Sequence, residues 1–257
     1  MKLAIVTDST CDLTKEDLAR LDVRAVPLYV SFQGKTVRDW LEIVPADIVA
    51  GVAAGAELPS TSQPSPEDFA AVYRELMAAG HDAILVLTLS AELSGTFQSA
   101  TLAAPNVEAE VKVFDSRSAS MGLGAMVRSA SAMRANGAAV EAILAEMAVM
   151  RDSTFVLFTV ASLEYLQKGG RIGRASAMLG SLLNLKPVLT LADGRIEPVA
   201  RARGTRKAIQ EMVVRFGAFV HEHAGESITV DYIHVLDSAA ADAVRHAVEA
   251  AGIEARD

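Results

Sequence analysis

Ser94 and Gly95 stand where an anion could be held. They fall inside Ile84–Ala100, ILVLTLSAELSGTFQSA, which runs from a short apolar stretch through a polar loop to a helix opening at Thr96. The first amides of a helix have no partner within it, so they point outward and favour negative charge. The Ser94 hydroxyl adds a donor at that spot, and Gly95 lets a ligand oxygen come up to the backbone. A carboxylate or a phosphate suits such a turn. The simpler reading is that Ser94 or Thr96 only caps the helix. Two further pairs, Asp8-Ser9 and Asp115-Ser116, also follow apolar runs. The three pairs share one position in the local pattern, and that coincidence weighs more than any single residue.

The elements that must position these residues alternate. Strands are predicted at Lys2–Thr7, Val23–Phe32, Ile84–Leu89 and Val111–Phe114, with a short one at Thr36–Arg38 after the turn Gln33-Gly34-Lys35. Helices are predicted from a Thr14 capping box to Leu21, from Pro45 to Ala54, from Pro66 to Ala79, and from Thr96 to before Pro105. Ala119–Ala135 and Val140–Met150 follow as two more, split at Asn136-Gly137. Glu57–Ser65 carries the densest loop signal in the chain. Alternation of this kind marks an α/β fold: a Rossmann-like parallel sheet with helices on both faces, whose ligands sit at the carboxyl ends of the strands.

Composition changes after Met150. A strand at Phe155–Val160, a short helix at Ser162–Gln167, an apolar helix at Arg174–Leu185 and a hairpin turning at Asp193-Gly194 are predicted there. A long helix Gly204–His223, a strand Ser227–Val235, a helix Ser238–Ala251 and the start of a strand at Ile253–Arg256 complete the chain. The expected division is 1–155, a Rossmann-like α/β domain able to lend its early hairpin to the other sheet, and 156–257, an α/β domain with a mixed sheet that lacks its last strand.

Bulk properties exclude several classes. A net charge of −8 argues against nonspecific nucleic-acid binding. The single cysteine, Cys11, allows no internal disulfide and fits a reducing cytosol. Its acidic neighbours would raise the thiol pKa rather than activate it. The first apolar run meets Asp8 too soon for a signal peptide, and none reaches transmembrane length, so a cytoplasmic protein is expected. No P-loop, complete dinucleotide fingerprint or nucleophile elbow occurs, and His221-Glu222-His223 lacks the spacing of a zinc pair, so neither cofactor nor metal is expected. Asp8 after a strand suggests an aspartyl phosphotransferase, but Thr10 stands where a second acid would be.

An ordered set of segments resembles the DegV family of bacterial proteins. They are Thr7–Leu13 (TDSTCDL), Pro59–Pro66 (PSTSQPSP), Leu93–Ala100 (LSGTFQSA), Asp115-Ser116, Leu163–Gly173 (LEYLQKGGRIG) and Lys186-Pro187 with Arg203, Arg206 and Lys207 beyond. The resemblance implies two α/β domains holding a long-chain fatty acid such as palmitate, stearate or oleate between them. It also implies the role of a fatty-acid-binding subunit, itself without a complete active site. A separate ATP-binding fatty acid kinase subunit would phosphorylate the bound acid to an acyl phosphate for phospholipid synthesis. Carried over by motif, Thr61, Ser94 and Gly95 would hold the carboxylate, and Arg171 and Arg203 would meet the kinase subunit. Met121, Phe158, Met178 and Leu182 are candidates for lining the acyl tail, although for any one of them ordinary core is the more common role. A stand-alone phosphotransferase and a fatty-acid-sensing regulator are the alternatives. One departure stands out: the family usually ends in a strand and a His-x-Gly-Pro-Gly segment, and this chain reaches Asp257 without one. Either the protein lacks that segment or this sequence omits it; if it is lacking, a last strand left unpaired and a weakened or solvent-exposed carboxylate site are expected.

Overall fold

The computed structural model describes residues 2–179 and 185–253. Its contacts divide the chain into two units, Met1–Thr154 with Asp193–Arg195, and Phe155–Ala192 with Ile196–Asp257.

The first unit is built on four parallel strands in the order β2-β1-β6-β7. These are β1 (Leu3–Asp8), β2 (Val23–Val26), β6 (Ala83–Thr88) and β7 (Glu110–Asp115). Every residue of β1 and β6 is buried, because both faces of the sheet are covered. Successive strand residues point to opposite faces, and the core divides accordingly. Leu3, Ile5, Leu85 and Leu87 pack on α5 (Met121–Ala135) and α6 (Val140–Ser153) through Leu123, Met126, Val127, Ile143 and Met147. Ala4, Val6, Ile84 and Val86 pack on α3 (Pro66–Ala78) and α4 (Thr96–Ala103) through Phe69, Tyr73 and Ala100. Full burial of one such aliphatic or aromatic side chain stabilises by roughly 1.5–3 kcal/mol. The Tyr73 hydroxyl, fully enclosed, donates to the Ala100 carbonyl at 3.1 Å and so ties α3 to α4. The two remaining helices of the unit are α1 (Lys15–Arg20), capped by Thr14, and α2 (Pro45–Ala53).

Val23–Phe32 is not one strand. It breaks at Pro27 into β2, in the parallel sheet, and β3 (Tyr29–Phe32), in another. Proline has no N–H to give a ladder, and the next amide, that of Leu28, donates to Ser9 Oγ at 3.1 Å instead of to a strand. The second sheet has the order β4-β3-β5, with β4 at Lys35–Arg38 and β5 at Ser60–Ser62. Both pairings are antiparallel, with Thr61 opposite Val30. The early hairpin therefore pairs inside its own unit, and the polar run expected to be loop supplies its third strand. Turn-forming residues gave no warning of that strand; backbone pairing with β3 forms it.

The second unit has a three-stranded sheet, β10-β9-β8, from β8 (Leu157–Thr159), β9 (Leu185–Ala192) and β10 (Arg195–Arg203). β8 and β9 pair antiparallel, and β9 turns into β10 at Asp193-Gly194. Its helices are α7 (Glu164–Lys168), α8 (Thr205–Glu222) and α9 (Ser238–Ala250). Val188, Ala202 and Ala208 form a small core, with Leu157, Val199 and Met212 at its edge. Two expectations fail here. Gly173–Met178 is a 3-10 turn rather than the start of an α-helix, and Leu185 already belongs to β9; the stretch between Leu179 and Leu185 lies outside the described residues. Ser227–Val235 is not a strand. Among the described residues it shows only a single bridge residue, Thr229; Ile228, Val230 and Tyr232 are half-buried while Ile233 and Val235 are exposed, so the segment gains little burial as a strand. Of the strand start expected at Ile253–Arg256, Glu254 onward lies outside the described residues.

Candidate functional site

Asp8 and Asp115 close β1 and β7, while Ser94-Gly95 stands at the far end of the loop that leaves β6, at the start of α4. Asp8 is the last residue of β1 and is fully enclosed. One of its carboxylate oxygens accepts from the Thr10 amide at 3.0 Å and the Thr10 hydroxyl at 2.6 Å; the other accepts from the Leu89 amide at 2.8 Å. Asp8 thus binds its own loop to the one leaving β6. Burial pushes its carboxyl up to about 6, against the pull of those hydrogen bonds, with the nearby Asp39 adding to the rise. Asp39 itself accepts from Ser9 Oγ at 2.6 Å, and burial raises it as well. A carboxylate with both oxygens occupied and no exposed surface is an anchor for loops, not an attacking group.

The loop between β6 and α4 is pinned at nearly every step. The Leu89 amide goes to Asp8, and the Ala91 amide to Asp115 at 3.1 Å. Ser90 is its hub. Its amide donates to the Ser118 carbonyl at 2.8 Å, and its carbonyl accepts from Leu93 at 3.0 Å and Ser94 at 3.2 Å. Its hydroxyl accepts from the Glu92 amide at 3.2 Å and donates to the Gly194 carbonyl at 2.8 Å. Glu92 pairs with Arg195 at 2.7 Å. Nothing local in the sequence singled out Ser90, because two of its partners, Ser118 and Gly194, come from other segments.

This scaffold presents Ser94 and Gly95, both half-buried. Gly95 is the N-cap residue of α4, and no side chain caps that helix. The simple capping reading of Ser94 or Thr96 is therefore wrong. Ser94 Oγ lies 2.9 Å from Thr96 Oγ1, and either can donate. With Thr96 donating, the Ser94 proton is left for a ligand.

Thr61 lies in β5, opposite Val30, and is exposed. Gln63, two residues on, lays its side chain against Gly95: a Cβ on Gly95 would lie 2.9 Å from Gln63 Nε2. In extended chain, residues two apart share a face and lie about 7 Å from each other. The segment is held firmly. Ser65 and Asp68 form a capping box on α3. Arg38 Nη2 bonds Asp68 at 2.7 Å, the Tyr29 hydroxyl donates to both Asp68 oxygens at 3.1 and 3.2 Å, and the Arg38 guanidinium lies over the Tyr29 ring. Burial alone would raise the Asp68 carboxyl; Arg38, Ser65 and Tyr29 outweigh it and hold the carboxyl below its usual range.

The other expected residues are spread over both units. Met121, the first residue of α5, is half-buried against the core, Phe158 is half-buried opposite Leu189, and Met178 is buried. Leu182 lies outside the described residues. Arg171 and Arg203 are both exposed, and Arg171 donates to the Gly169 carbonyl. Cys11 is buried, and its thiol is pushed up to about 12 by that burial, with the Asp8 and Asp12 charges adding, so it is inert. Among the described residues no group of His, Cys, Asp and Glu is placed to hold a metal ion.

Comparison with known proteins decides the family. A model described as "Uncharacterised protein, DegV family" matches residues 2–255. The chain belongs to the DegV family. A DegV domain-containing protein of Deinococcus radiodurans is 41% identical over 228 residues, covering 89% of this chain and 81% of that one. Among solved structures, a DegV family protein from Thermus thermophilus, described by its fatty acid binding, aligns with TM-score 0.89 and 45% identity over 100% of this chain and 91% of that one. DegV from Bacillus subtilis, described as a fatty acid binding protein, aligns with TM-score 0.86 and 31% identity over 97% of this chain and 89% of the other. A stearic acid-binding protein from Eubacterium ventriosum aligns with TM-score 0.87 and 29% identity over 100% and 89%. The α/β architecture inferred from strand and helix alternation is that of these DegV proteins. Among the described residues no helix is long and apolar enough to cross a membrane.

Proposed function

We propose that this DegV protein binds a long-chain fatty acid and presents its carboxylate to a separate ATP-dependent kinase subunit. The observation that carries the reading is the meeting of two chain-distant segments at Gly95, where Gln63, two residues beyond Thr61, lays its side chain against the uncapped start of α4. The Ser94 and Thr61 hydroxyls and the Gly95 amide are neutral donors. They satisfy a carboxylate that would be very costly to bury unpaired, and they need no buried countercharge. Each tail methylene taken out of water contributes about 0.8 kcal/mol, so the tail supplies affinity and the head group supplies orientation. Fatty acid binding by the Thermus, Bacillus and Eubacterium relatives supports the same reading.

In this scheme the protein is not itself the enzyme. A carboxylate oxygen attacks the γ-phosphorus of ATP held by the partner, the bond to the β-phosphate oxygen breaks, and ADP leaves with an acyl phosphate formed. Exposed Arg171 and Arg203 would form charge-assisted contacts with that partner. The enclosed Asp8 speaks against a stand-alone phosphotransferase, which needs an accessible nucleophile. Denaturing the purified protein and analysing the extract by mass spectrometry is expected to release an acyl species. Finding none, even after loading with oleate or palmitate, overturns the proposal. Adding the kinase subunit and ATP is then expected to yield acyl phosphate; its absence would favour a fatty-acid sensor.

A further inference from the structure

We infer that the Gln63 carboxamide is an additional carboxylate-binding group, and that it makes the head-group site selective for an ionised acid over the matching alcohol. This rests on the fatty acid reading above and assigns a role to a residue outside its Thr61, Ser94 and Gly95 donors. The carboxamide lies against the face of Gly95 where a side chain would stand, with Nε2, Cδ and Oε1 at 2.9, 3.2 and 3.6 Å from the position of a Cβ. Only a glycine admits a planar amide so close to the start of α4. Gln63 is exposed, and among the described residues its carboxamide has no hydrogen-bond partner. Its backbone is nevertheless fixed, between β5 on one side and buried Pro64 and the Ser65 cap of α3 on the other. A donor that lies against Gly95, next in sequence to Ser94, and has no partner among the described residues is available to a ligand there.

The lone-pair count of a carboxylate supports this. Its two oxygens offer about four acceptor sites. Ser94, Thr61 and the Gly95 amide fill three; a Gln63 N–H fills the fourth. An alcohol head group has a proton of its own and fewer lone pairs, so the fourth donor matters little to it.

The test is a titration of wild type, Gln63→Ala and Gln63→Glu with oleate and with oleyl alcohol, with circular dichroism and thermal unfolding as fold controls. Gln63→Ala is expected to weaken oleate binding about 10-fold and Gln63→Glu, which sets a like charge against the ligand, about 100-fold. Oleyl alcohol is expected to change by less than about 3-fold in both, from the neutral character of the contact. Wild-type affinity for oleate in both variants overturns the inference, and so does an equal loss for acid and alcohol, which would make Gln63 a packing residue. If wild type itself takes up neither ligand, the fatty acid reading fails and this inference with it.

Discussion

Ser90 Oγ donates to the Gly194 carbonyl at 2.8 Å across 104 residues of sequence. The contact depends on the turn at Asp193-Gly194, where φ is 48° and 79°. Two left-handed residues match the twist of a hairpin, and only glycine takes the second place without strain here, since a Cβ on Gly194 would lie 2.3 Å from Ser90 Oγ. Gly194→Ala therefore meets strain and collision together and is expected to destabilise by roughly 2–4 kcal/mol. Ser90→Ala, which leaves the Glu92 amide and the Gly194 carbonyl without that hydroxyl, is expected to cost about 1–2 kcal/mol. Urea unfolding midpoints check both, and an unchanged midpoint for Gly194→Ala contradicts the geometry.

The proposed head-group donors can be removed together. Ser94→Ala combined with Thr61→Ala is expected to weaken oleate binding by about 100-fold or more, from the loss of two hydrogen bonds to a charged group. Both residues are at least partly exposed, so the fold should survive. Lipid content after purification, measured by mass spectrometry, decides the matter; full occupancy in the double variant removes these residues from the site.

Asp8 makes a pH prediction. Its carboxyl sits at about 6 in the folded chain, above the ~3.9 of an unfolded aspartate. A group raised in this way holds its extra proton in the native state. Its contribution to stability is complete below about pH 4 and is lost as pH rises through about 6. The shift of about two units corresponds to something on the order of 3 kcal/mol. Relative to Asp8→Asn, wild type is expected to gain that much stability between pH 7 and pH 4. Urea titrations of both proteins at several pH values measure it, and a difference flat in pH would show that Asp8 does not titrate there.

Asp68 is expected to act with the opposite sign. Its carboxyl is held down by Arg38, Ser65 and Tyr29, so its stabilisation is present above about pH 4 and falls away below. Asp68 and Arg38 side chains are 16% and 30% exposed, so the pair is partly shielded from water. A double-mutant cycle of Asp68→Ala and Arg38→Met is expected to give a coupling of about 1–2 kcal/mol at pH 7 that shrinks toward pH 3. Coupling that persists undiminished at pH 3 would rule out the ion pair as its source.

The proposed kinase partner is tested apart from the lipid. Arg171→Glu with Arg203→Glu is expected to leave fatty acid content unchanged while acyl phosphate formation with a kinase subunit and ATP falls at least about 10-fold, from reversal of two surface charges. Normal turnover by that variant would place the docking surface elsewhere.

Features set by a few neighbouring residues were readable from the chain. The Thr14 and Ser65 caps, Pro66 at the head of α3, the Asp193-Gly194 turn and the alternation of strand with helix all depend on local dihedrals and on hydrophobic period. So did the family, because its ordered motifs are linear. The placing of Asp8 and Asp115 at strand ends, and of Ser94 in the loop between β6 and α4, followed from the same pattern.

What needed the folded chain was everything decided by a partner far away in sequence. Pro27 could be seen, but only pairing showed that β2 and β3 go to different sheets. Ser60–Ser62 reads as loop and becomes a strand because β3 offers it a ladder, while Ser227–Val235 reads as strand and forms none among the described residues. Gln63 against Gly95, and Ser90 against Gly194, leave no trace in local spacing, since a hydrogen bond or a close approach constrains two positions without constraining the residues between them.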